Sequence, residues 1–144
     1  MKIGTLTYHD TTNYGAVLQA YALQKKINDL GYDCEIIDYK CDAITQRYKI
    51  KKLSECKNLK QLVKSILTNR NSKILKNKFK NFEKNYQKLS SKSYYKSDIF
   101  DTNRIYDKFV VGSDQVWNLE LSGEDTTYFL DFVDSDEKKL SYAA

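Results

Sequence analysis

The chain has 144 residues, enough for one domain or one lobe of a larger protein. Apolar residues make up 41% and charged residues 30%, a globular mixture that excludes a disordered chain, and no apolar run approaches the roughly 18 residues of a spanning helix. The net charge of +5 hides a split: residues 44–96 hold 16 Lys or Arg against two acids, Glu55 and Glu83 (+14), while the remainder holds 8 basic and 17 acidic residues (−9).

Residues 2–8 alternate apolar with polar and read as a first strand, too short and too broken for a secretory signal. A polar loop, His9 to Asn13, follows. Ala16, Ala20, Leu23, Ile27 and Leu30 then fall at the spacing of one buried helical face, and Gly31 stands where a left-handed terminus belongs. Residues 34–39 read as a second strand. Strand, helix, strand is a βαβ unit, expected to be parallel and right-handed.

The basic middle reads as a helical hairpin. Leu59, Leu62, Val63, Ile66 and Leu67 make one amphipathic stretch and Leu75, Phe79, Phe82, Tyr86 and Leu89 another, with residues 68–72 as the turn. A short helix is expected over 98–106 and a strand over 109–111, stopped by Gly112-Ser113-Asp114. Residues 127–130 and 139–142 are weaker strand candidates. The final Ala143-Ala144 carries no cap or polar tail, as if the chain were cut there. Cys34, Cys41 and Cys56 are odd in number and lack CxxC spacing, which argues against a disulfide framework or a zinc site and for a reducing cytoplasm.

Two loops at strand ends carry the candidate chemistry. In Thr11-Thr12-Asn13-Tyr14-Gly15, a helix N-terminus would favour an anion or a sugar hydroxyl, and Gly15 would admit a ligand to the backbone. Equally, Asn13 caps the helix and Gly15 only packs. The loop is neither GxGxxG nor GxxxxGK[ST], so dinucleotide and P-loop readings lack their signatures. The second loop, Gly112-Ser113-Asp114-Gln115-Val116-Trp117-Asn118, packs a hydroxyl, a carboxylate, amides and an indole together. Asp114 can take a proton from a sugar hydroxyl within hydrogen-bond reach. Otherwise Asp114 caps the next segment and Trp117 fills the core. His9, the lone histidine, is a hydrogen-bonded loop residue or, less simply, an acid–base group. No constellation of metal ligands stands out.

The stretches TTNYGAVLQAYAL, YDKFVVGSDQVWN, YFLDF and KLSYAA, in this order, resemble the N-terminal part of the polysaccharide pyruvyl transferase family. GSDQVWN is the most specific of them. The resemblance implies an α/β, Rossmann-like parallel sheet flanked by helices. This would be the N-terminal lobe (residues 1–144) of a two-lobed fold similar to B-type glycosyltransferases, with a basic helical insertion at about 44–96 and the C-terminal lobe absent. It implies transfer of pyruvate from phosphoenolpyruvate, a donor substrate rather than a cofactor, to a sugar of a surface polysaccharide as a ketal. By motif position the substrate-binding candidates are Asn13, Tyr14, Gly15, Gln19, Gly112, Ser113, Gln115, Trp117 and Asn118, with Asp114 as the catalytic candidate.

The only arginines are Arg47, Arg70 and Arg104. The family's donor-binding Arg and His residues belong to the C-terminal lobe, so this lobe alone is expected to be catalytically silent. The expected partners are a glycan acceptor, lipid-linked in one version, and phosphoenolpyruvate held with the second lobe. A rival reading makes the +14 middle a nucleic-acid or anionic-membrane module, and another a glycan-binding protein without catalysis. Lysine predominance, acidic flanks and the lack of a recognition motif argue against nucleic acid. Peripheral contact of a cytoplasmic protein with the inner membrane face, where lipid-linked acceptors reside, stays open.

Overall fold

The computed structural model describes residues 1–47 and 59–144, with the backbone alone for 59–68. Four strands form one all-parallel sheet: β1 (Lys2–Leu6), β2 (Asp33–Ile36), β3 (Lys108–Gly112) and β4 (Lys139–Tyr142), in the order β2-β1-β3-β4. Ile3 pairs with Cys34 on one side and Lys108 on the other, which places β1 and β3 side by side at the centre. The expected βαβ unit is present, with α1 (Tyr14–Asp29) as its crossover.

The period-two alternation of the strands sorts their side chains onto two faces. On one, Ile3, Cys34 and Val110 pack against Leu23 and Ile27 of α1. On the other, Leu6, Ile37, Phe109 and Val111 join a larger cluster with Tyr94, Tyr106 and Tyr128. A parallel sheet needs both faces covered, and the continuous apolar run of β3 reflects that. Ala16, Ala20, Leu23 and Ile27 of α1 are buried as their spacing predicts, but Leu30 is 61% exposed because the helix stops at Asp29 and Leu30 is the C-cap. Gly31 has the expected positive φ of 90°.

The helical hairpin is corrected by the structure. One helix of 28 residues, α3 (Leu59–Tyr86), runs through residues 68–72, after the short α2 (Asp42–Arg47). Thr, Asn and Ser there are mildly unfavourable in a helix, but neither Gly nor Pro is present to stop it. The face carried by Leu59, Leu62, Val63, Ile66 and Leu67 lies outside the described residues, as does Cys56. In the second half, Phe79 and Phe82 meet Tyr14 and Tyr21 of α1 at ring separations of 4.8 and 5.6 Å. Leu89 lies past the helix end and bridges Ile36, so the returning chain covers the outer edge of β2.

Residues 98–106 give a six-residue 3₁₀ helix, Ile99–Arg104. The strand expected at 127–130 is instead a 3₁₀ turn, Thr126–Phe129. Asp125 caps it, accepting from the Thr127 amide at 3.0 Å and from the Thr127 hydroxyl at 2.7 Å, and Leu130 ends it with φ 58°. An Asx cap therefore wins over the β propensity of Tyr-Phe-Leu. The last helix, α4 (Leu119–Ser122), ends at Gly123, whose φ of 64° suits glycine. Among the described residues no helix is long and apolar enough to cross a membrane.

Candidate functional site

The strand order fixes where a ligand can sit. From β1 the chain crosses to β2 on one side, and β3 lies on the other, so the loops leaving β1 and β3 diverge at their carboxyl ends. Such a switch point opens a crevice in doubly wound α/β sheets. The two loops singled out in the sequence are the two that leave this point.

Gln19 clamps them together, and the Tyr8 hydroxyl reaches from the first to the Val116 carbonyl of the second at 3.5 Å. Gln19, one turn into α1, donates from Nε2 to Thr7 Oγ1 at 2.6 Å, and its Oε1 accepts from the Ser113 amide at 3.0 Å and the Ser113 hydroxyl at 3.2 Å. Beside this clamp lies a cleft of about 220 Å³ lined by Tyr8, Thr11, Asn13, Ala16, Ile44, Arg47, Asp114, Gln115 and Leu121. The first loop thus supplies Asn13 and the second Asp114 and Gln115, with α2 as the facing wall. Asn13 also caps α1, its Oδ1 accepting from the Ala16 amide at 3.3 Å. Asp114 is half-buried, and its Oδ1 accepts from the Gln115 amide at 2.7 Å. The cap of α4 is Asn118, which accepts from the Glu120 amide at 3.1 Å. Asp114 is therefore left facing the cleft.

The remaining candidates stand outside the cleft wall. Tyr14 turns onto Phe79 of α3, and Gly15 is exposed with Asn13 Oδ1 as its nearest neighbour. Gly112, with φ 119°, lets the end of β3 approach β4: a Cβ there would lie 2.0 Å from the Tyr142 carbonyl oxygen. Trp117 does not fill the core. It is 43% exposed, stacks on Phe129 at 6.0 Å and donates from Nε1 to the Tyr128 carbonyl at 3.2 Å. Thr11 belongs to the loop already singled out; Tyr8 and Arg47 are cleft residues that sequence reasoning missed. Tyr8 closes the apparent first strand and Arg47 belongs to the basic segment, so neither pattern pointed to the crevice.

Burial, with the negative charges of Cys41, Asp114 and Asp125 near it, pushes the Tyr8 phenol up to about 12. It therefore remains a neutral hydroxyl in the cleft wall. Burial likewise pushes the Cys34 thiol up to about 12, removing it as a nucleophile.

His9 is buried and engaged. Its Nε2 lies 2.9 Å from Asp38 Oδ1, while Lys40 Nζ bridges Asp38 at 2.7 Å and Asp10 at 2.8 Å. Burial opposes ionisation of Asp38, but hydrogen bonds from His9, Lys40 and Ser93 outweigh it and hold the carboxyl well below the usual range. This network braces the β1 loop from below. Next to it, a cavity of about 40 Å³ between the loop and α3 touches Glu83, which burial pushes up, and Gln87, whose buried Oε1 has no partner among the described residues. It has room for a water or two. Among the described residues no three His, Cys, Asp or Glu side chains converge as a metal site.

Fold and cleft together define a Rossmann-like α/β sheet whose switch-point loops offer a carboxylate, amides and a phenol, and whose facing helix α2 offers a guanidinium, to a small polar ligand. The family model of polysaccharide pyruvyl transferases matches residues 13–144, and the chain belongs to that family. It is accordingly a transferase-like protein. No curated protein and no solved structure matches it.

Proposed function

We propose that the cleft holds the acceptor sugar of a pyruvyl transferase, with phosphoenolpyruvate as donor and a ketal as product. The reaction forms two C–O bonds from sugar hydroxyls to the enol carbon and breaks the bond from that carbon to the phosphate oxygen. Of the two hydroxyl protons, one ends on the methylene carbon and the other leaves with phosphate. A base must take a hydroxyl proton as the C–O bond forms, and Asp114 is the carboxylate in reach of the cleft. Asn13 and Gln115 orient the ring by hydrogen bonds, and the Tyr8 hydroxyl donates or accepts beside them.

The observation that carries this reading is the convergence of Asn13 and Asp114, distant in sequence, on one sugar-sized cleft in a chain of this family. The donor's carboxylate and phosphate demand several cations. Among the described residues the cleft offers one, Arg47; we assign the donor site to a second lobe of a fold similar to B-type glycosyltransferases, and residues 1–144 alone are expected to bind sugar without turnover.

Two measurements test this. Titration of the protein with methyl β-galactoside, methyl β-glucoside, methyl β-glucuronide and glucose 1-phosphate is expected to shift the amide resonances of Asn13, Ser113, Asp114 and Gln115 with at least one of them; no shift there with any of them removes the acceptor site. In the two-lobed enzyme, Asp114→Asn is expected to cut phosphate release from phosphoenolpyruvate by at least about 10²-fold while leaving the unfolding midpoint in place. Turnover equal to wild type removes the proton-accepting role.

A further inference from the structure

Arg47 and Asp114 carry opposite charges into the same 220 Å³ cleft, yet they do not pair. No ion pair joins Arg47 to Asp114 or to any other described residue. Other described cations, such as Lys26 and Arg104, are likewise without an ion pair, but Arg47 and Asp114 are opposite charges that share the wall of the candidate site without pairing. The last turn of α2 already suits a cation, but a helix terminus asks only for charge, which lysine would supply. The planar guanidinium offers more, a fork of donors matched to carboxylate or phosphate oxygens.

We infer that the acceptor is an anionic sugar, with its hydroxyls toward Asp114 and a carboxylate or phosphate substituent on Arg47. The inference rests on the cleft being the sugar site. A neutral hexose would leave Arg47 to solvent and place nothing against it. An anionic substituent gains a charge-assisted contact and is kept from the reversed orientation by repulsion from Asp114, so the pair selects both the ligand class and its direction in the cleft. The anion has two sources, a uronic acid carboxylate within the glycan or a phosphate at the sugar's anomeric position, as in a carrier-linked saccharide. Both use the same guanidinium.

The test compares methyl β-glucoside, methyl β-glucuronide, glucose 1-phosphate and phosphoenolpyruvate in separate amide-resonance titrations of the protein, wild type, Arg47→Gln and Arg47→Lys. The expected result is that the glucuronide or the sugar phosphate binds about tenfold more tightly than the neutral glucoside, shifting Asn13, Asp114 and Gln115. Whichever of the two it is identifies the source of the anion. Arg47→Gln is expected to erase the preference and Arg47→Lys to restore only part of it, with the rest of the spectrum unchanged as the control for folding. Equal binding of the neutral glucoside, or a preference that survives Arg47→Gln, overturns the inference and leaves the acceptor site standing. Binding of phosphoenolpyruvate alone also overturns it, by making Arg47 a donor contact. Silence of all the ligands overturns the acceptor site and the inference together.

Discussion

Gln19 bonds to both site loops, so its replacement should loosen their coupling without touching the cleft wall. It makes three hydrogen bonds, to Thr7 Oγ1 and to the amide and hydroxyl of Ser113. A neutral hydrogen bond of this kind contributes about 1 kcal/mol net, and Gln19 is only half-buried, so water recovers part of what is lost. Gln19→Leu should therefore cost about 1–2 kcal/mol, concentrated at Ser113, whose amide loses its acceptor. In hydrogen exchange the Ser113 amide should lose roughly 5- to 30-fold in protection, while the amides of β1 and β3 keep theirs. Gln19→Glu is the decisive control. Its carboxylate can still accept from Ser113, and the Thr7 hydroxyl can rotate to become the donor, so protection at Ser113 should return. Unchanged protection in Gln19→Leu, or an equal loss in Gln19→Glu, would refute the clamp.

Two further outcomes follow from the same geometry. Gly112→Ala forces a Cβ to 2.0 Å from the Tyr142 carbonyl oxygen at a φ of 119°, so β4 must move away; about 3 kcal/mol should be lost, read as a fall of roughly 10 °C in the thermal midpoint, and a midpoint within 2 °C of wild type contradicts the close approach. Asp38 has a carboxyl held low in the folded state, so its stabilising contribution is complete above its unfolded value of about 3.9 and fades as pH falls through the folded value; Asp38→Asn should cost about 3 kcal/mol at pH 7, and its gap from wild type in urea midpoints should narrow below about pH 4 rather than stay constant.

What the sequence made legible follows from where local chemistry and tertiary packing agree. The apolar spacing of Ala16, Ala20, Leu23 and Ile27 matches the face α1 buries, and the apolar run of β3 matches a strand covered on both sides. Where they diverge, local patterns mislead. Polar residues 68–72 look like a turn but contain no breaker, and Tyr-Phe-Leu at 128–130 looks like a strand until the Asp125 cap is taken into account. The site shows the same division. Strand-end loops containing glycine and polar residues can be picked out one by one, which is how Asn13 and Asp114 emerge. Their meeting depends on β1 and β3 being neighbours, and the parts played by Gln19, Tyr8 and Arg47 depend on that meeting. The buried pairing of His9 with Asp38 was equally hidden, because its partner comes from the end of another strand.

The cleft is built from two unlike walls. One hangs from adjacent central strands and is locked by Gln19; the other is α2, six residues long, resting on α4 with the Ala43 methyl against Gly123. A change in the first wall disturbs the sheet, whereas a change at an exposed position of the second, such as Arg47, alters what the opening faces and spares Ile44 in the core. Diversification of ligand preference can therefore proceed through α2 with Asp114 undisturbed, which makes that small helix the natural place to begin altering what the cleft accepts.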